Sequence, residues 1–135
     1  MSNAFEFRVD QASGVPVFLQ FVQQVRQSIL LGHLRPGDQL PTVKEVAAAS
    51  VVNPNTVVKA YRQLDLEGLV QTRPGSGTFV TAGSVTPVPA RDVAAARRAL
   101  ERFFVTAQQA GLGDAAMVAM FETMRRERAG REAVA

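Results

Sequence analysis

The stretch from Asn53 to Gly68 constrains the chain most, because it specifies one helix with both ends marked. Asn53 suits the N-cap, where a side-chain oxygen accepts from the free amides of the first turn. Pro54 then falls at the first helical position, where a missing N–H costs nothing. Gly68 suits the left-handed residue that closes a helix. Val57, Ala60, Tyr61 and Leu64 recur at i, i+3, i+4 and i+7, which makes one apolar stripe. The other face carries Asn55, Thr56, Lys59, Arg62 and Gln63, with acids only at Asp65 and Glu67 near the end. A helix that is apolar behind and donor-rich in front is suited to the major groove of DNA.

The segments before it support that use. Phe5 to Val9 alternates apolar and charged residues, the pattern of a short half-buried strand. From Val15-Pro16 to about Leu31, the positions Phe18, Phe21, Val22, Val25 and Ile29 form an amphipathic helical stripe, and Gly32 ends it. The glutamines and Arg26 on its other face read as solvated. Leu34 to Pro41 is a turn-rich connector around Pro36-Gly37-Asp38. Thr42-Val43-Lys44-Glu45 has the form of a capping box. It starts a short helix, with Val43, Val46, Ala47 and Ala48 inward, that stops near Ser50. Val51, Val52 and Asn53 then turn the chain into the long helix, which completes a helix-turn-helix.

Two β-prone runs follow, Leu69 to Thr72 and Thr78 to Thr81, with Arg73-Pro74-Gly75-Ser76-Gly77 between them. They read as a hairpin, so the order is that of a winged helix. The glycines at 75 and 77 lack the preceding strand, following helix and lysine of a nucleotide loop. As a turn they leave Arg73 and the small Gly75 free to approach a minor groove. Residues 82–90 are small and proline-punctuated, which suits a semi-stiff linker. Beyond it, residues 91–110 and a segment capped at Asp114 form two helices whose tail, from Arg125 onward, should fray. One carries Leu100, Phe103 and Phe104; the other carries Met117, Met120, Phe121 and Met124 at helical spacing, a packing pattern.

Composition excludes several chemistries. The chain has no cysteine and one histidine, His33, so disulfides, thiolate metal sites and multi-histidine zinc sites within one chain are ruled out. No cofactor and no metal are implied. The net charge is only +3, from 7 basic against 6 acidic residues up to Ala82 and 8 against 6 after it. Binding to DNA would therefore rest on placement rather than bulk charge. The absence of an apolar secretion signal or of a span of about 20 apolar residues points to a cytoplasmic protein.

Gly37-Asp38-Gln39-Leu40-Pro41-Thr42-Val43-Lys44-Glu45-Val46-Ala47, Val52 to Val57, Glu67 to Val70 and Gly75 to Val80 together resemble the GntR family of bacterial transcription regulators. The short two-helix tail is similar to the YtrA subfamily, whose members carry a small dimerisation element and include many repressors of membrane-transporter genes. This resemblance implies that Lys44, Asn53, Asn55, Thr56 and Gly75 occupy operator-contacting positions; Lys59, Arg62 and Arg73 join them as donors on the same faces. Lys44 stands where arginine is common, Pro74 where a basic residue is frequent, and Ala49-Ser50-Val51 replaces a more usual leucine-glycine turn.

The expected architecture is mainly α with a small β wing: a winged helix-turn-helix over residues 1–81, a linker over 82–90 and a two-helix dimerisation element over 91–135. Two exposed apolar stripes make a poor core alone. Either a second copy covers them through Leu100, Phe103, Phe104, Met117, Met120, Phe121 and Met124, or the chain's own head does. A homodimer would read a pseudo-palindromic operator. An enzyme is disfavoured for want of a catalytic constellation, and a protein-binding winged helix is the other class to separate by experiment. The tail leaves little room for an effector pocket outside a dimer interface.

Overall fold

Helices α1 (Val17–Leu30), α2 (Val43–Ser50) and α3 (Pro54–Leu66) precede a hairpin of β1 (Val70–Arg73) and β2 (Gly77–Val80), and α4 (Ala90–Gln109) and α5 (Asp114–Val134) complete the chain. The computed structural model describes residues 5–81, 83 and 85–134. The chain divides after Ala90 into two units. In the first, α3 is the element against which α1, α2 and β1 all pack. Its Val57, Ala60, Tyr61 and Leu64 are buried with Phe21, Val25 and Ile29 of α1 and Val46 of α2. Tyr61 sits under this core, and burial, then the Glu45 carboxylate, push its phenol pKa up. The hydroxyl therefore keeps its proton and donates to the Pro41 carbonyl, which ties the connector to α3.

Helix ends follow the chemistry of their residues. Thr42 and Glu45 form the reciprocal capping box of α2. After α1 and α3, the glycines Gly32 and Gly68 take positive φ, and His33 and Leu69 donate back to Ser28 and Leu64 carbonyls. That is the Schellman closure. Helix α2 closes the same way, Val52 N–H reaching the Ala47 carbonyl, but its left-handed residue is Val51, at φ 53. A Cβ in this region costs about 1–2 kcal/mol, and branching adds to the crowding. Val51 is 89% exposed, so no burial offsets that cost. Val51→Gly should therefore raise stability by about 1 kcal/mol. Thermal unfolding followed by circular dichroism should show the midpoint rising by roughly 4–8 °C; an unchanged or lower midpoint would contradict a left-handed turn at this residue.

Several expectations need correction. The segment Phe5 to Val9 alternates in burial as a strand would, with Phe5, Phe7 and Val9 against the core, but among the described residues it pairs with no strand. Side-chain amides take the place of a ladder. Gln24 accepts from Arg8 N–H at 2.8 Å and donates to the Arg8 carbonyl at 2.6 Å. Gln20 does the same for Asp10, at 2.8 and 3.1 Å. The polar face of α1 is thus not merely solvated: Gln20 is buried, and Arg26 pairs with Glu67 at the end of α3. On α2, Ala48 is exposed rather than inward.

The hairpin is shifted by one residue from its expected limits. Arg73 pairs with Gly77, so the tip is only Pro74-Gly75-Ser76. The connector also contributes to the sheet: Gln39 bridges Phe79, and Leu40 N–H donates to the Thr78 carbonyl at 2.8 Å. Part of the expected linker lies against the first unit, with Val85 on its core and Val88 N–H donating to Leu30. Ala82 and Ser84, at the start of the expected linker, lie outside the described residues.

In the second unit α4 and α5 form a hairpin around the turn at Gly111 to Gly113. Asp114 is the first residue of α5 rather than its cap, where its charge suits the helix dipole. The segment from Arg125 onward, expected to fray, is helical to Val134 even though Gly130 is a poor helix former, and Arg125 bonds Glu122 at 2.8 Å. That guanidinium holds the Glu122 carboxyl below its usual range.

Candidate nucleic-acid interface

The start of α3 is built as a donor-rich end. Asn53 Oδ1 accepts from Asn55 N–H at 2.8 Å, which caps the helix and commits none of the amide N–H donors of this exposed residue. The first turn carries no acid, so the positive end of the helix dipole is not neutralised within α3. Beyond the cap the exposed row is Asn55, Lys59, Arg62 and Leu66, spaced i, i+4, i+7 and i+11. Two residues placed on that front by the sequence stand aside. Thr56 is half-buried, and Gln63 is half-buried with its amide donating to Glu67 at 2.9 Å. Glu67 in turn pairs with Arg26, so Gln63 belongs to the seam between α1 and α3.

Lys59 is exposed, yet its Nζ lies 4.1 Å from the ring centroid of Phe18 on α1. This cation–π contact draws the ammonium toward α1, off the axis of the row. Such a placement suits a phosphate at a groove edge better than a base. Lys44 is exposed on the first turn of α2, where the free helix amides and the lysine charge face the same solvent. On the wing, Arg73 stacks over Phe79 with its guanidinium carbon 4.7 Å from the centroid. Gly75, at φ 78, leaves the middle of the tip, between Pro74 and Ser76, without a side chain. The flank between α3 and the wing is a groove of about 490 Å³ with Val58, Arg62, Leu66 and Thr72 among its lining.

The eight candidate DNA residues thus lie on α2, α3 with its cap, and the wing of a single unit; the candidate dimerisation residues all lie in the other unit. There Met117 is buried with Ala107 inside the helix hairpin, and Phe103 is half-buried. Leu100, Phe104, Met120, Phe121 and Met124 are between 40% and 60% exposed. A cleft of about 410 Å³ runs among Leu100, Phe103, Met120, Phe121 and Met124, with Arg125 and Arg128 also lining it. Sequence reading missed Leu66, 78% exposed on the polar row, and the docking role of Phe18. The first could have been found as an apolar residue interrupting a polar stripe.

A capped helix packed on two others, with a two-stranded hairpin beside it, defines a winged helix-turn-helix protein of the DNA-binding class. Residues 19–80 match the profile of the bacterial regulatory proteins of the gntR family. The chain is 34% identical over 105 residues to the HTH-type transcriptional repressor YtrA of Bacillus subtilis, an alignment covering 78% of this chain and 81% of that protein. Among solved structures, YtrA from Sulfolobus acidocaldarius superposes with a TM-score of 0.52 at 29% identity, over 77% of this chain and 97% of its own. The DNA-binding domain of AraR in complex with operator ORX1 gives 0.52 at 26% identity, covering 59% of this chain and all of that domain. The chain belongs to the GntR family: it is a DNA-binding transcription regulator and not an enzyme. Among the described residues, no helix is long and apolar enough to cross a membrane.

Proposed function

We propose that the protein is a cytoplasmic repressor that binds a pseudo-palindromic operator as a homodimer, controlling membrane-transporter genes as in the subfamily it resembles. The observation that carries this reading is the start of α3: a capped, acid-free turn from which Asn55 projects beside Lys59 and Arg62, with the wing on the same unit. Asn55 reads a base, since an asparagine amide pairs with the adenine edge in two places. Lys59, drawn toward Phe18, and Lys44, on α2, serve phosphates, while Asn53 offers its free amide protons beside them. Thr56, half-buried, reaches only a phosphate or base that comes close. Arg62 extends the row, and Arg73 with Gly75 approaches the minor groove. Support for operator binding comes from the likeness to the AraR domain, and support for repression from the likeness to YtrA. The second copy covers the exposed apolar faces of α4 and α5.

Two substitutions test the division of labour. Asn55→Ala should lose about 1–3 kcal/mol of discrimination between the selected duplex and a random one. Lys59→Ala should weaken both alike and lower the slope of log affinity against log salt by about one. Anisotropy titrations of both variants over a salt series measure this. Equal losses on specific and random DNA for Asn55→Ala would remove Asn55 from base reading.

A further inference from the structure

We propose that Gln39, outside both the reading helix and the wing, is a positioning residue that holds the wing tip in place for DNA; this rests on the DNA-reading function proposed above. Gln39 is exposed, so the core does not require it. Its backbone forms an isolated antiparallel bridge to Phe79 of β2, where Val80 N–H donates to the Asp38 carbonyl and Leu40 N–H to the Thr78 carbonyl, each at 2.8 Å. From that fixed position its Nε2 donates to the Ser76 carbonyl at 3.1 Å, across 37 residues of chain. The amide lies over Gly77, where a Cβ would collide with Gln39 Nε2. The φ of 129° is what requires glycine at position 77, and the absence of a Cβ there leaves the open face that the Gln39 amide occupies.

Among the described residues, no other side chain bonds to the tip Pro74-Gly75-Ser76; its remaining tie is Ser76 N–H to the Arg73 carbonyl at 3.0 Å. The same residue steadies the base of the tip, because Phe79, its bridge partner, carries Arg73 on its ring. A tip ordered before binding spares the entropy of ordering it on DNA. A loose tip would pay that entropy at each encounter, so Gln39 acts on affinity without touching the duplex.

The test uses the full chain and the duplex that wild type selects most strongly from a randomised library. Gln39→Met keeps the bulk and loses the donor; Gln39→Ala loses both. Each should bind that duplex about fivefold more weakly, the effect of one lost hydrogen bond. The heteronuclear NOE of the Gly75 and Ser76 amides should fall in the free variants. In an Arg73→Ala background the Gln39 substitutions should add little further loss, because both act through the wing. Wild-type affinity in Gln39→Met, or losses that add in full to those of Arg73→Ala, would overturn the clamp. If wild type selects no duplex, the DNA-reading function fails and the proposal fails with it, a result distinct from a variant that binds like wild type.

Discussion

A chain truncated after Ala90 should bind its operator a hundredfold or more weakly than the full chain, and with no cooperativity between half-sites. Joining two reading heads makes the second contact intramolecular, which raises overall affinity by about 10²–10⁴ without any new contact to DNA. The tail is the only part able to do this in the proposed arrangement. Its hairpin buries only Ala107 and Met117, and it leaves Phe121 60% and Met124 55% exposed. Two helices with so little shared core do not hold together in water without a further surface. Met120, Phe121 and Met124 of α5, with Leu100 and Phe104 of α4, supply that surface. Anisotropy titrations of full and truncated chains, with sedimentation at micromolar concentration, measure both halves of the claim. A truncated chain that binds as tightly and as steeply as the whole, or a full chain that sediments as a monomer with a helical tail, would contradict it.

Phe21→Ala should cost about 3–5 kcal/mol, the range for deleting a fully buried aromatic ring. Phe21 is completely buried, and the Phe7 ring packs on it with centroids 4.7 Å apart. Phe7 in turn lies 6.2 Å from Tyr61, so one ring joins the N-terminal segment, α1 and α3. The N-terminal segment is held by Gln20, Gln24, this aromatic stack and Val9 on the core; removing Phe21 should loosen it together with the core contact. Against a typical total of 5–15 kcal/mol for a small domain, the loss is a large fraction. Denaturant unfolding should show the midpoint falling at an unchanged slope if the transition stays two-state. A loss below about 1 kcal/mol would mean that the site collapses around the vacancy, contrary to close packing around Phe21.

Much of this fold was legible because local chemistry and tertiary packing agree. The cap at Asn53, the capping box at Thr42 and the glycines at 32 and 68 mark helix limits to within a residue or two, and the apolar stripes of α1 and α3 are the buried ones. What sequence reading could not supply depends on partners far along the chain. Phe5 to Val9 has strand alternation, but whether it gains a ladder depends on what lies beside it, and glutamine amides lie there instead. Gln39 looks like any connector residue until the chain folds it against β2. Lys59 and Gln63 both read as front-face donors, because the pattern does not reveal that Phe18 and Glu67 attract them sideways. The Ala49-Ser50-Val51 turn stood out as a departure from leucine-glycine, but that Val51 takes the left-handed conformation is visible only in the folded chain.

Sequencing the duplexes that the 135-residue chain selects from a randomised library shows whether it reads DNA as a symmetric dimer. Two α3 helices held by a symmetric dimer should enrich an inverted repeat whose half-sites lie about one helical turn, or a multiple of it, apart. With Asn55→Ala the same selection should lose its preference at a symmetric pair of positions and keep the spacing. Enrichment of a single unpaired half-site, or no enrichment over the starting library, would contradict it.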